Sequence, residues 1–192
     1  MKRFFLIDKE NTGNRFLVGV NELTSEDTLV LFQHSKEPPM GEGVWNILRN
    51  SKAKLQVVEM QAHTKNAMDF QICTYLGFLV NQYGTCANYY IVSNDSGYLA
   101  SMEFIKSTLN PDVTLEMIST CSLNGTKSNL IPFALGKNYS NDTVKVIKMG
   151  LKKTSSTKDL HVFLQKALKE DGPVIYNLIK PIYKEALKEV AV

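Results

Sequence analysis

Residues 89–98 have the sequence YYIVSNDSGY, in which an apolar run leads straight into a polar turn that carries Asp95. Residues 4–11 repeat this arrangement as FFLIDKEN, with Asp8 directly after the apolar run. Short apolar runs bounded by turn residues are typical of strands. In an open α/β sheet, functional groups gather beyond the carboxyl ends of the strands, where the strand order reverses. We therefore expect Asp8 and Asp95 at that edge of a sheet.

A third aspartate, Asp69, opens a long stretch with helical apolar spacing, which predicts a helix over residues 67–82. Carboxylates brought together at one sheet edge would repel one another unless a cation held them. The cation that suits hard oxygen ligands is Mg²⁺ or Mn²⁺. The three acids therefore predict an acidic metal site, although Asp8 or Asp95 could equally be an ordinary turn residue. The apolar positions of the helix are Phe70, Ile72, Cys73, Leu76, Leu79 and Val80.

Strands and helices alternate along the first part of the chain, which predicts an α/β fold with a mostly parallel sheet of about five strands flanked by helices. The expected strands cover residues 3–7, 27–32, 54–60, 88–93 and 113–118. The expected helices cover residues 44–48, 67–82, 98–109, 143–152, 157–170 and 173–190. The predicted domains are a catalytic domain over residues 1–120, a loop or linker over residues 121–141 and a basic helical extension over residues 142–192.

The composition favours one α/β domain with a small appendage. The chain has 192 residues, of which 44% are hydrophobic, a normal share for a protein that buries a core. No stretch approaches the roughly 20 apolar residues of a membrane span, and the amino terminus is too short for a signal peptide. The three cysteines show no C-x-x-C spacing, which argues against a disulfide framework and a zinc site. We expect a cytoplasmic protein without a membrane partner.

Positive charge is concentrated in the last quarter of the chain. The whole sequence has a net charge of +3, while residues 140–192 hold ten lysines against six acids and so carry +4. Within this segment, Lys145, Lys148 and Lys152 form one stripe of a predicted helix. Such a stripe is suited to phosphate contacts in a nucleic acid. A solvated helix face would have the same pattern.

Three motifs together resemble those of PIN-like nucleases, in particular a bacterial branch related to the NYN ribonucleases. They are D-x-E-N at residues 8–11, N-A-x-D-F-Q at residues 66–71 and V-S-N-D-x-G-Y at residues 92–98. The resemblance covers residues 3–118. It implies a parallel sheet flanked by helices, and one or two divalent metal ions that support the hydrolysis of RNA phosphodiesters.

Carried over residue by residue, the resemblance implies an acidic cluster of Asp8, Asp69 and Asp95, with Asn11 beside the metal and the phosphate. Asp8 and Asp95 would hold the metal directly or through ordered waters. Many relatives carry a further acid shortly after the third aspartate, whereas the seven residues after Asp95 include none here. Glu10 either joins the cluster as a metal ligand or points into solvent.

Two residues ahead of Asp69 are candidate nucleic-acid contacts. Asn66 precedes Asp69 by three residues and is expected on the same side of the helix. Lys65 would steer a phosphate or pair with the acids, or it is an ordinary surface lysine. Tyr98, which follows the Asp95 turn, is expected at the mouth of the cleft.

These observations favour a Mg²⁺- or Mn²⁺-dependent endoribonuclease. Single-stranded or loop RNA is the expected substrate, because unstacked strands fit a narrow acidic cleft more easily than a duplex does. One alternative is a catalytically degenerate PIN-like module that binds RNA or protein. Another is a phosphatase of the haloacid dehalogenase type, in which Asp8 attacks phosphorus, Glu10 is the acid/base and Asp95 holds Mg²⁺. The RNA target, the pathway and the oligomeric state stay open, a homo-oligomer included.

Overall fold

The computed structural model describes residues 1–34, 40–60, 64–123 and 139–190. Within these ranges, the strands are β1 (Lys2–Ile7), β2 (Asp27–Gln33), β3 (Lys54–Glu59), β4 (Ala87–Val92) and β5 (Thr114–Ile118). They form one sheet in the order β3-β2-β1-β4-β5, and each pair of neighbours is parallel. The predicted α/β fold with a parallel sheet of about five strands is therefore confirmed.

Helices occupy the connections between the strands and the C-terminal part of the chain. Those of the first part are α1 (Lys9–Thr12), α2 (Glu42–Asn50), α3 (Ala67–Tyr83) and α4 (Tyr98–Thr108). The C-terminal helices are α5 (Asn141–Lys153), α6 (Thr157–Leu168) and α7 (Asp171–Val190). Short 3₁₀ turns lie at Arg15–Leu17, Val20–Glu22 and Gly84–Cys86. In the part of the chain that the structure describes, no helix combines the length and the apolar character that a membrane span requires.

Strand β1 is buried on both of its faces. Phe4, Phe5, Leu6 and Ile7 each expose 6% of their surface or less. Parallel strands that are covered on both faces have such continuous apolar runs, since neither set of alternating side chains meets water. On one face, the Phe5 ring stacks on that of Tyr90 in β4 at a centroid distance of 4.9 Å. The apolar run that suggested a strand is thus the centre of the sheet.

Helices α3 and α4 contribute to a buried core cluster on the other face of the sheet. Ile72 of α3 and Met102 of α4 are buried with Leu6 and Ile91 of the central strands. Phe70, which the sequence pattern placed on the apolar face of α3, instead exposes 69% of its surface. Phe70 and Ile72 are two residues apart and so lie about 200° apart around the helix axis. When Ile72 faces the core, Phe70 therefore faces solvent.

The strand order reverses between β1 and β4. From β1 the chain proceeds to β2 and β3 on one side, and it then returns to β4 and β5 on the other. Ile7 at the end of β1 is in register with Val92 at the end of β4. The backbone N–H of Asp8 donates to the Val92 carbonyl at 3.1 Å, which extends the pairing by one step. Asp8 and Ser93 therefore begin the loops at the reversal point.

The chain divides into two compact units, of which the first contains the sheet with α1, α3 and α4. The second contains α2 together with α5, α6 and α7. The sequence placed α2 in the first domain, whereas in the structure it packs on α7. Gly43 of α2 comes so close to Leu178 that a Cβ atom at position 43 would lie 2.1 Å from the Leu178 carbonyl oxygen. Of the predicted linker, residues 124–138 lie outside the described residues.

Candidate active site

Asp8 occupies the first position after β1 and is only 1% exposed. Three donor groups lie within hydrogen-bond reach of its carboxylate. The backbone N–H of Asn11 donates to Oδ1 at 3.1 Å, so that Asp8 also caps α1. The hydroxyls of Ser93 and Tyr98 lie 2.7 and 3.2 Å from Oδ2. Since a buried carboxylate is stable only with such donors, these bonds fix the orientation of Asp8.

Ser93 links Asp8 to the loop that carries Asp95. It follows β4 directly and is 2% exposed. Its hydroxyl donates to Asp8 and accepts a hydrogen bond from the backbone N–H of Asp95 at 3.0 Å. The sequence motifs alone gave Ser93 no role. Its position could have indicated a role, because Ser93 follows β4 as Asp8 follows β1, and these two strands are neighbours in the sheet.

Tyr98 brings Asp69 and Asp8 into one hydrogen-bonded group. Asp69 is half-buried in the first turn of α3, and Tyr98 begins α4. The Tyr98 hydroxyl oxygen lies 2.8 Å from Asp69 Oδ1 and 3.2 Å from Asp8 Oδ2. Tyr98 is 2% exposed, so its expected position at the mouth of a cleft is wrong. The ring is instead buried in the core cluster, and only the hydroxyl meets the acids.

The surroundings of Tyr98 keep its hydroxyl protonated. Burial is the largest cause that raises the pKa of Tyr98. Asp69 and Asp8 raise this pKa further, both through their hydrogen bonds with the hydroxyl and through their negative charges. A phenolate at this position would be desolvated beside two carboxylates, which is unfavourable on both counts. Tyr98 is therefore a hydrogen-bond donor to the acids at neutral pH.

Asp95 has a different environment from the other two aspartates. It is exposed, and its Oδ1 accepts a hydrogen bond from the backbone N–H of Gly97 at 2.8 Å. This bond shapes the turn that leads into α4, as the alternative interpretation of a turn residue expects. Its connection to Asp8 runs through its own backbone N–H and the hydroxyl of Ser93.

Four further candidate residues are exposed: Glu10, Asn11, Lys65 and Asn66. Asn11 reaches Asp8 through its backbone N–H, and its carbonyl accepts a hydrogen bond from Arg15 at 3.1 Å. Asn66 has a φ of 62° in the left-handed region, which asparagine tolerates better than most residues. Lys65 and Asn66 directly precede α3, so both lie close in sequence to Asp69.

The lysine stripe lies on α5 in the helical unit. Lys145 and Lys148 are exposed, while Ile147 between them is fully buried. Lys145 Nζ is 3.1 Å from Asp142 Oδ1, but an ion pair this exposed contributes little to stability. Lys152 belongs to the same helix, and its side chain lies outside the described part of the structure.

The donor chemistry of Asp8 and Asp69 fits a hard divalent cation. Among the described residues, no group of three or more His, Cys, Asp and Glu side chains is arranged to hold a metal ion. Mg²⁺, however, is usually held through one or two carboxylates and keeps several of its waters. Asp8 and Asp69, which share one hydroxyl donor, would supply two such carboxylates.

The part of the chain that contains this site matches a known protein family. A family model described as PIN domain matches residues 2–108, which is more than half of the chain. The chain belongs to the PIN domain family. The matched part of the PIN domain runs from β1 to α4 and contains Asp8, Asp69, Asp95 and Tyr98. Searches of curated proteins and of solved structures gave no significant match.

Proposed function

We propose that this PIN domain is an endoribonuclease that hydrolyses RNA phosphodiester bonds with Mg²⁺ or Mn²⁺. The observation that supports the proposal is the pairing of Asp8 and Asp69 through Tyr98. The pair lies at the reversal point of the sheet, where open α/β sheets bind their ligands. Membership of the PIN domain family supports a nuclease-type fold. The sequence motifs further support a bacterial, NYN-related branch, and the cysteine pattern favours a cytoplasmic location.

The two paired acids would hold the ion from two different elements. A bound divalent ion lowers the pKa of its water and neutralises charge on phosphoryl oxygens. Asp8 would bind it from the end of β1, in an orientation that its three hydrogen-bond donors fix. Asp69 would bind it from the start of α3, where its side chain is partly exposed to solvent. Two carboxylates also create the negative field that draws a cation to this edge of the sheet.

The exposed candidates would act at the rim of this pair. Asp95 and Glu10 would contact the ion through ordered waters, since both residues are exposed. Asn11 would lie beside the phosphate, next to the residue that its own backbone helps to orient. Lys65 and Asn66 would contact the RNA backbone just ahead of Asp69.

Single-stranded or loop RNA is the proposed substrate. Nonspecific contacts to such strands come mainly from lysine and arginine side chains along the backbone. In the helical unit, exposed Lys145 and Lys148 would supply these contacts together with Lys152. Because such contacts are electrostatic, binding of RNA is expected to weaken as salt increases.

The proposal is tested by cleavage of a labelled single-stranded RNA in Mg²⁺, in Mn²⁺ and in EDTA. Asp8→Asn and Asp69→Asn are expected to lower the rate about a hundredfold or more, because each removes a charge that holds the ion. Asp112→Asn is the matched control. It removes one exposed carboxylate just before β5, at the opposite end of the strands from Asp8.

Cleavage that survives in EDTA, or in both Asp8→Asn and Asp69→Asn, would contradict the proposal. A well-folded chain that binds RNA in a salt-sensitive manner and never cuts it would instead support the degenerate binding module. The exposure of Asp95 and Glu10 is the observation that keeps this alternative in view. The haloacid dehalogenase hypothesis has less support. It gives Asp69 no role, whereas Asp69 shares a hydrogen-bond donor with Asp8.

A further inference from the structure

We infer that Tyr98 is a positioning residue for the divalent ion, because its hydroxyl holds the carboxylates of Asp8 and Asp69 together before the ion binds. The inference rests on the proposed function in one respect, namely that these two acids are the metal ligands. It assigns to Tyr98 a role that the acids alone do not perform. Tyr98 acts through Asp8 and Asp69 and does not itself contact RNA.

One hydroxyl group joins three elements of the fold at this point. Asp8 comes from the end of β1, Asp69 from the first turn of α3 and Tyr98 from the start of α4. The oxygen–oxygen distances of 2.8 and 3.2 Å place both carboxylates within hydrogen-bond reach of the same hydroxyl. Without the Tyr98 hydroxyl, the relative position of the two acids would depend more strongly on the packing of α3 against the sheet.

The hydroxyl also offsets the repulsion between the two acids. Two carboxylates that meet a common atom repel each other, and burial strengthens this repulsion because the surroundings have a low dielectric constant. A hydroxyl has one proton, so Tyr98 donates to one carboxylate at a time, with the shorter distance to Asp69. The positive end of its O–H dipole therefore lies between the two negative groups.

This donation leaves ligand capacity for the ion. An ionised carboxylate offers about four lone-pair sites. When Tyr98 donates to Asp8, the bonds from Asn11, Ser93 and Tyr98 leave one Asp8 site open. When it donates to Asp69, it occupies one site on one Asp69 oxygen. Tyr98 thus orients both acids without blocking either of them. Removal of a group that orients metal ligands usually weakens metal affinity by about 10- to 100-fold.

The test is a calorimetric titration of the full chain with Mn²⁺, for the native sequence, Tyr98→Phe and Tyr89→Phe. Phenylalanine keeps the buried ring of Tyr98 and removes only the hydroxyl. Tyr89 is the matched control, since it is fully buried in the same unit and its hydroxyl lies 2.9 Å from the Gly84 carbonyl oxygen and 3.3 Å from that of Leu79. We expect the Kd for Mn²⁺ to rise about tenfold in Tyr98→Phe and to stay unchanged in Tyr89→Phe.

A second readout separates positioning from stability. In thermal unfolding in EDTA, Tyr98→Phe and Tyr89→Phe are expected to lower Tm by similar amounts, since each removes a buried hydroxyl that is hydrogen-bonded. The rise in Tm on adding Mn²⁺ is expected to shrink only in Tyr98→Phe. In the cleavage assay, Tyr98→Phe should need about ten times more Mn²⁺ for its half-maximal rate and recover most of the native rate at saturation.

Several outcomes would overturn the inference. These are equal or tighter Mn²⁺ binding in Tyr98→Phe, an equal weakening in Tyr89→Phe, and a native chain that binds no Mn²⁺. A Tyr98→Phe chain that circular dichroism shows to be unfolded at 10 °C would also overturn it, because the hydroxyl would then be required by the fold itself. A chain that binds Mn²⁺ through Tyr98-dependent acids but never cleaves RNA would remove the ribonuclease proposal and leave this inference standing.

Discussion

Ser93 donates a 2.7 Å hydrogen bond to Asp8, although 85 residues separate them in the sequence. The contact follows from the pairing of β1 with β4, which aligns Ile7 with Val92 and so places the next residues of both strands side by side. The hydroxyl of Tyr98, at the start of α4, also lies within hydrogen-bond reach of Asp8. The environment of Asp8 is therefore built from parts of the chain that only the folded sheet brings together.

Ser93→Ala is expected to lower the free energy of unfolding by about 1–3 kcal/mol, because the buried Asp8 carboxylate loses a donor. Urea denaturation measures this change. Ser107→Ala is the control, since the Ser107 hydroxyl donates to the Phe104 carbonyl on an exposed helix surface. Its effect should stay within about 0.5 kcal/mol. Equal effects of the two substitutions would mean that the Ser93–Asp8 bond contributes nothing specific.

Asp95→Asn is expected to reduce cleavage less than Asp8→Asn does. Asn keeps an oxygen that can accept the hydrogen bond from Gly97, so the turn into α4 is preserved, and only an exposed charge is lost. We expect a loss of about tenfold for Asp95→Asn and about a hundredfold or more for Asp8→Asn. Rates at saturating Mn²⁺ test the order. A loss in Asp95→Asn as large as that in Asp8→Asn would make Asp95 a direct ligand.

Arg3 and Asp27 form a paired contact at the opposite end of the strands. The guanidinium donates two hydrogen bonds of 2.6 Å to the carboxylate, and Asp27 is fully buried while 27% of the Arg3 side chain is exposed. Burial on its own would raise the pKa of Asp27. The hydrogen bonds from Arg3 and Thr24 outweigh that effect, so the pKa lies below its ordinary value of 3.8.

This lowered pKa predicts how stability depends on pH. A carboxyl group with a lower pKa in the folded chain stabilises the fold fully above its ordinary pKa, and that contribution is lost as the pH falls through the folded pKa. The free energy of unfolding should therefore fall below about pH 4 in the native chain.

Asp27→Asn should lower the free energy of unfolding by about 3 kcal/mol at pH 7, because it leaves Arg3 without its partner. It should also reduce the loss of stability on going from pH 7 to acid. Urea denaturation between pH 2.5 and pH 7 compares the native chain with Asp27→Asn, and the exposed substitution Asp112→Asn is the control. An Asp27→Asn chain that loses stability with acid as steeply as the native chain would contradict the assignment.

The double variant Lys145→Ala and Lys148→Ala is expected to weaken RNA binding and its salt dependence. Each lost phosphate contact should reduce the slope of log K against log[salt] by about 0.7 for a single strand. Lys158→Ala with Lys166→Ala is charge-matched, since both lysines are exposed on α6. Fluorescence anisotropy at several salt concentrations measures the slopes. Equal slopes for the two double variants would indicate that the stripe on α5 has no special contact.

The sheet could be predicted from the sequence because its central strands, β1, β2 and β4, are buried on both faces. Continuous apolar runs such as Phe4 to Ile7 have few alternative structures when polar turns bound them. The predicted bounds of strands and helices lie within two residues of those in the structure. The four-residue helix α1 was missed, because Lys9 to Thr12 has no apolar periodicity and is defined mainly by its Asp8 cap.

The candidate site could be predicted only in part. Asp8 and Asp69 were recognisable, since one ends a strand and the other begins a helix. Tyr98 was not, because the sequence shows an aromatic residue after a turn but not the direction of its hydroxyl. Glu10 is exposed in the first turn of the four-residue helix that Asp8 caps. Such directions depend on caps and on packing between distant elements, which periodicity does not encode.

The most direct test of the central claim is the rate of RNA cleavage in Asp69→Asn, compared with the native chain and with Asp112→Asn over a titration of Mn²⁺. The pairing of Asp8 with Asp69 predicts that the native chain and Asp112→Asn cleave with the same Mn²⁺ dependence. It predicts that Asp69→Asn is slower by about a hundredfold or more at every Mn²⁺ concentration that saturates the native chain. Native rates in Asp69→Asn would contradict the account, because the acid that Tyr98 joins to Asp8 would then have no part in cleavage.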